Sequence, residues 1–232
     1  MENLIGKVIY ITGGTKGIGL GIAVKALEAG LKVAVSARHI DHFDDKPFPP
    51  NQFLLIRSDV KNKEDEIQAV EQIIKKWGKL DVLVANAGVG HFAPFDQLSD
   101  EQWHDTLDTN LTGVFHSVQA SLPALKKSNG YIITIASLAG TNFFVNGTAY
   151  NASKFGLVGF TQALMLDLRP HQIKVTTIMP GSVATFFNNH IPNEKDFWKI
   201  QPEDIGQMVI DLLKMHPRTL PSKIEVRPSI PA

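Results

Sequence analysis

A chain of 232 residues carries 23 Lys+Arg against 23 Asp+Glu, so it has no global field to draw nucleic acid or an anionic membrane. It contains no cysteine, which excludes disulfides, thiolate metal sites and cysteine nucleophiles, and no metal site is expected. The length fits one domain, residues 1–232, large enough to bury a substantial core.

Val8–Ile11 reads as a short buried strand. A glycine-rich turn follows, then a helix over about Ile18–Ala29 with Gly30 as its C′ residue. Lys32–Ala37 is the second strand. The stretch from His39 to Asn51 carries Pro47, Pro49 and Pro50 and predicts a loop rather than a full helix. Phe53–Arg57 is the third strand, ending at Ser58-Asp59-Val60. Glu64–Trp77 has helical periodicity and stops at Gly78, and Asp81–Ala85 is the fourth strand. Ser99 and Gln102 form a capping box at the start of a long helix running to Lys127. Its apolar stripe is Trp103, Leu107, Leu111, Val114, Phe115, Val118, Leu122 and Leu125. Tyr131–Ala136 is the fifth strand, followed by a helix carrying Tyr150 and Lys154. Lys174–Met179 is the sixth, Glu203–Lys214 the last helix with Pro202 near its start, and Lys223–Arg227 the seventh strand. This alternation predicts a doubly wound α/β domain, a seven-stranded, mainly parallel sheet with helices on both faces. No apolar run approaches the roughly 18 residues of a membrane span, and the first residues lack a signal-peptide h-region, so a cytoplasmic protein is expected.

Tyr150 and Lys154 stand at i and i+4, on one face of their helix. A cation there favours phenolate and is expected to lower the tyrosine from its unperturbed value near 10, as a general acid/base for alcohol–carbonyl chemistry requires. Ser137 lies upstream, at the end of the fifth strand. Thr12-Gly13-Gly14-Thr15-Lys16-Gly17-Ile18-Gly19 joins the first strand to the first helix. Its glycines allow a tight turn and close backbone approach, leaving the helix N-terminus to face a dinucleotide pyrophosphate. The end of the second strand, where a carboxylate would read the ribose 2′-hydroxyl of NAD, is Val35-Ser36-Ala37-Arg38-His39. Arg38 and Lys16 would instead clamp a 2′-phosphate, so NADP(H) is preferred, with NAD(H) as the alternative. Asp41 is a nearby carboxylate that loop curvature could return to the ribose.

In these motifs the chain resembles the short-chain dehydrogenase/reductase superfamily, of the Y-x-x-x-K type, from Lys7 to about Pro228. Thr12–Gly19 resembles its T-G-x-x-x-G-x-G, which implies cofactor contacts at Gly13, Thr15, Lys16, Gly17, Ile18 and Gly19. Asp59-Val60 resembles the adenine-binding pair. Asn86-Ala87-Gly88 resembles N-A-G, with Ala85 replacing the commoner first asparagine. Pro180, Gly181, Val183 and Thr185 match the P-G-x-V-x-T segment that contacts the nicotinamide. Asn110, Ser137, Tyr150 and Lys154 fall where the catalytic tetrad falls. The resemblance implies that Tyr150 donates a proton to a carbonyl oxygen while hydride reaches its carbon. Lys154 would depress the Tyr150 pKa and bind the nicotinamide ribose, Ser137 would hydrogen-bond the reacting oxygen, and Asn110 would hold a water through an irregularity in the long helix. Dimers or tetramers through the Ser99–Lys127 and Tyr150 helices are also implied.

Candidates to line a substrate pocket are Gly90, His91, Phe92, Leu138, Asn142, Phe143, Phe144, Phe186, Phe187 and Trp198. Most are apolar, which favours an apolar carbonyl or alcohol substrate. His91 and His190 could meet a carboxylate or lie at the surface, and the surface reading is favoured. The leading expectation is an NADPH-dependent ketone or aldehyde reductase. A 3-oxoacyl-thioester (acyl-carrier-protein) reductase would need a cationic landing patch, for which Lys195 and Lys199 are the candidates. A non-catalytic dinucleotide-sensing or scaffold protein would have no need of the tyrosine.

Overall fold

The computed structural model describes residues 3–230. The strands are β1 (Val8–Thr12), β2 (Lys32–Ala37), β3 (Phe53–Arg57), β4 (Val82–Ala85), β5 (Tyr131–Ile135), β6 (Lys174–Pro180) and β7 (Lys223–Val226). The helices are α1 (Gly17–Glu28), α2 (Lys63–Trp77), α3 (Asp100–Leu107), α4 (Gly113–Ser128), α5 (Thr148–Leu168) and α6 (Pro202–Lys214). One seven-stranded sheet runs in the order β3-β2-β1-β4-β5-β6-β7. Every neighbouring pair is parallel.

Strands of such a sheet are covered on both faces and therefore read as continuous apolar runs. Along β1 the side chains alternate between two cores. Ile9 and Ile11 face α1 and α6, while Val8 and Tyr10 face α2, α4 and α5. The strand order reverses between β1 and β4, and a crevice opens outside their carboxyl ends, where α/β sheets bind ligands. The loop between β2 and β3 forms no helix; it closes one edge by stacking Phe43 and Phe48 on Phe53.

The predicted long helix is interrupted. A π turn, Asp108–Thr112, separates α3 from α4. The widened turn interrupts the helix without undoing the predicted stripe beyond it. Val114, Val118 and Leu125 are buried as expected, but Phe115 is 43% exposed. Among the described residues no helix is long and apolar enough to cross a membrane.

Candidate active site

The glycine turn and the segment after β4 meet at the switch point. Thr12 Oγ1 accepts from the backbone N–H of Asn86 (3.0 Å) and Ala87 (3.1 Å). Asn86 Nδ2 donates back to Thr12 O (2.9 Å) and Gly13 O (3.1 Å). Asn86 therefore fastens two loops together rather than presenting its amide to a ligand. Gly13 has φ +65° and sits where a Cβ would lie 2.9 Å from Ala87 Cα. A Cβ at Gly19 would press on Gly13 O and lie 2.6 Å from Asn86 Nδ2. Gly19→Ala is thus expected to push the turn open and lower stability by about 1–3 kcal/mol, which a melting curve checks. The turn delivers α1 with no side-chain cap and no acidic residue in its first turn, so its leading N–H groups stay available to an anion.

From this turn a cleft of about 960 Å³ runs past the ends of β2, β3, β4, β5 and β6. Tyr150 enters it from the first turn of α5. The helix is pinned by Asn151, whose Nδ2 donates to Ala139 O and Asn142 O, both at 2.7 Å. Those carbonyls belong to the turn that begins at Ser137, so one amide sets the spacing between the serine and tyrosine. Burial pushes the Tyr150 phenol up to about 12, with a hydrogen bond from Ser137 pulling the other way. Burial likewise pulls Lys154 down to about 8. Its Nζ donates to Ile135 O (3.1 Å) and lies 5.7 Å from the Tyr150 ring centroid. The expectation that Lys154 lowers the tyrosine is therefore corrected. Lys154 is not among the groups acting on the phenol, and burial outweighs the Ser137 hydrogen bond.

Asn110 lies in the π turn and is fully buried. Its Oδ1 accepts from Val89 N (2.8 Å), and its Nδ2 donates to Val89 O (2.9 Å) and Ser153 Oγ (3.0 Å). Both amide protons are thus used within the protein, and Oδ1 accepts from the Val89 amide.

Around the tyrosine stand Phe92, Phe187 and Phe144, with ring centroids 5.3, 5.6 and 6.3 Å from its own. At the rim His91 Nε2 meets Asp105 Oδ2 (2.9 Å), whose other oxygen accepts from Lys61 (2.9 Å). On the segment after Thr185, Asp196 takes Lys199 on Oδ1 and His190 on Oδ2, each at 2.6 Å. Lys199 first, then His190, holds that carboxyl well below the usual carboxylate range.

Residues 7–196 match the short chain dehydrogenase family, most of the chain. The chain belongs to that family. It is 30% identical over 231 residues to an uncharacterized oxidoreductase of Staphylococcus aureus (strain MW2), covering 98% of this chain and all of that one. An alcohol dehydrogenase from the archaeon Thermococcus sibiricus, complexed with 5-hydroxy-NADP, superimposes with a TM-score of 0.89 at 26% identity, covering 96% and 97% of the two chains. A 3-ketoacyl-(acyl-carrier-protein) reductase from Brucella melitensis, complexed with NADH, gives 0.88 at 25% identity over 97% and 98%. A metagenomic short-chain oxidoreductase in complex with NADP gives 0.85 at 30% identity over 99% and 100%.

In this short-chain dehydrogenase the residues that the sequence points to for a cofactor all border the one cleft except Gly19, which is buried beneath the turn. Ser137, Tyr150 and Lys154 border it as well; Asn110 lies behind. The substrate candidates divide. Gly90, His91, Phe92, Phe186 and Phe187 line the cleft, whereas Leu138, Asn142, Phe143, Phe144 and Trp198 do not. Phe143 is 82% exposed and stacks on Phe155 outside. His91 and His190 lie at the rim, each partly exposed and held by an aspartate of this chain. Their partners lie on other turns of the chain, which spacing alone does not disclose. Ser36 and Ser58 are cleft residues that the sequence did not single out, because small hydroxyls at strand ends carry no pattern.

Proposed function

We propose that the chain is an NADP(H)-dependent reductase of apolar ketones or aldehydes, or a dehydrogenase of the corresponding alcohols, with Tyr150 as the general acid/base. The observation carrying this is the Tyr150 phenol, half-buried and bordering the same cleft as Ser137, Lys154 and the glycine turn. The dinucleotide fits the residues present. Gly13 and Gly19 allow the close backbone packing that shapes the turn, since a Cβ at either would collide with Ala87 or Gly13, and the α1 N-terminus is uncapped. Bound there, it supplies the hydride.

Ser137 would orient a carbonyl oxygen toward the phenol, and Tyr150 would release its proton to that oxygen as charge develops. Lys154, with a depressed pKa, can pass a proton without a strong thermodynamic trap. Phe92 and Phe187 shield the exchange from water and favour an apolar substituent. Arg38 and Lys16 border the opposite end of the cleft, and among the described residues neither has a carboxylate partner. Asp41 is engaged by Arg57 at 2.5 Å and does not border the cleft, so the competing NAD reading loses its carboxylate. Two of the solved relatives hold NADP-type ligands.

The acyl-thioester reading is weaker, since Lys199 is already paired with Asp196 and leaves Lys195 without its companion cation. NADPH consumption across a panel of ketones, β-keto esters and acyl thioesters tests the assignment. A tenfold preference for NADH, or turnover of acyl thioesters alone, would refute it. Arg38→Ala is expected to lower kcat/KM with NADPH by about tenfold or more while changing NADH little, the loss of a charge-assisted contact made only by the 2′-phosphate.

A further inference from the structure

Beneath the Arg38 end of the cleft lies a carboxyl group with no part in the chemistry above. Glu66, in the first turn of α2, is fully buried. Its Oε1 accepts from Ser58 Oγ at 2.6 Å and lies 3.0 Å from Tyr10 Oη. Tyr10 Oη also lies 2.9 Å from Ser36 Oγ. Its Oε2 is buried without a hydrogen-bond partner. Ser117, the α4 hydroxyl that approaches this carboxyl, donates to Gly113 O (3.0 Å) instead. Among the described residues no cation pairs with Glu66. Ser36 and Ser58 both line the cleft.

The protons available can be counted. Tyr10 has one, and it serves either Ser36 or Glu66. If Glu66 is ionised, Oε1 draws both the Tyr10 and the Ser58 protons. Ser36 then satisfies the Tyr10 oxygen with its own proton and offers the cleft only a lone pair. If Glu66 is neutral, with its proton on Oε2 toward Ser117, Tyr10 turns to Ser36. The Ser36 proton is then released toward the cleft. An ionised Glu66 would leave a buried anionic oxygen unpaired, which the protein interior penalises heavily.

We propose that Glu66 is a positioning residue for the adenosine end of the cofactor: while neutral, it orients Tyr10 so that Ser36 donates a hydrogen bond into the cleft. This rests on the dinucleotide reading given above. Burial pushes Glu66 up from the ordinary carboxylate value, and the neighbouring Asp65 charge acts in the same direction. Hydrogen bonds from Ser58, Ser117 and Tyr10 oppose it. The other titratable groups around it come from each packed element. Tyr10 on β1 is raised well above its ordinary value, chiefly by burial and then by Glu66. Asp65 on α2 accepts from Asp59 N (3.0 Å), Lys61 pairs with Asp105, and His116 on α4 meets Val60 O at 3.0 Å. A group that prefers to be neutral when folded loses stability as pH rises above the ordinary glutamate value toward its own, and the same ionisation should withdraw the Ser36 donor.

The test measures ADP and 2′,5′-ADP affinity by calorimetry from pH 5 to 10 on wild type, Glu66→Gln and Ser58→Ala, with melting curves alongside. These adenosine fragments do not reach Tyr150 or Lys154. Wild-type ADP affinity is expected to fall roughly three- to tenfold relative to E66Q as Glu66 ionises, the scale of one hydrogen bond. E66Q keeps the neutral pattern at every pH, and its melting temperature loses the matching pH dependence. S58A, which leaves Glu66 buried, retains the pH dependence of melting but binds ADP more weakly. Identical affinity profiles in wild type and E66Q overturn the proposal, as does an E66Q that weakens ADP equally at all pH values. If E66Q does not fold, an S58A profile indistinguishable from wild type overturns it too. A wild type that binds no ADP refutes the dinucleotide reading and this inference with it. 2′,5′-ADP binding no tighter than ADP refutes only the NADP preference.

Discussion

Tyr150→Phe should reduce kcat by roughly 10²–10⁴-fold, the range for a positioned general acid, while NADPH affinity stays within about twofold of wild type. The ring contacts with Phe92 and Phe187 survive the change, so the walls of the site stay in place. The deleted hydroxyl borders the open cleft and is uncharged at neutral pH in both the folded and the unfolded chain, so its loss should leave the melting temperature nearly unchanged. The phenol pKa, pushed up to about 12, makes a directional prediction. Carbonyl reduction needs the neutral phenol and should not titrate on Tyr150 below about pH 10. Alcohol oxidation needs phenolate, so its rate should climb with pH through the neutral range toward about 12. Steady-state kinetics in both directions, with cofactor binding measured separately, checks each part. Turnover that survives the substitution contradicts the assignment.

Lys154→Met should separate stability from function. The lysine is buried, its charged form is disfavoured down to about pH 8, and Ile135 O is its one recorded acceptor. Depression from the ordinary lysine value to about 8 corresponds to a folding cost on the order of 3 kcal/mol at pH 7. Methionine is similar in length and carries no charge. The variant should melt roughly 5 °C higher at pH 7, after allowance for the carbonyl left without a donor. The sign is fixed by linkage. The wild-type penalty is complete below about pH 8 and fades as pH rises from there toward the ordinary value, so the gain should shrink over that interval. Meanwhile kcat/KM should fall at least a hundredfold, as expected for the loss of a proton-handling group. Thermal melting at pH 7 and pH 10, with kinetics at pH 7, measures both. A variant that is destabilised at pH 7 would show that the ammonium is well solvated or paired, contrary to this account.

The parallel sheet was legible because its inner strands are contiguous apolar runs closed by turn signals, while the edge strand β7 alternates charged and apolar residues. Lys32–Ala37 and Phe53–Arg57 fall where the pattern puts them. The glycine turn and the Tyr150/Lys154 spacing were legible because their chemistry depends on local geometry. Three features were not. The π turn at Asp108–Thr112 interrupts a helix without changing its composition, so one continuous helix was expected where there are two. Asn151 sits between the tyrosine and lysine, yet its work is done on Ala139 and Asn142, contacts that only the folded turn creates. Electrostatics was the largest departure. Spacing shows that a cation and a phenol share a face, but burial decides their pKa values, and burial is a property of the assembled domain.

The most direct test is a single turnover with NADPH deuterated at the transferable position of the nicotinamide, across the ketone and aldehyde panel. The account predicts deuterium on the carbinol carbon of the product from wild type and none above background from Y150F, with both proteins binding NADPH equally. Tight NADPH binding by wild type with no deuterium in any product would contradict it, and would leave a dinucleotide-binding protein without the chemistry.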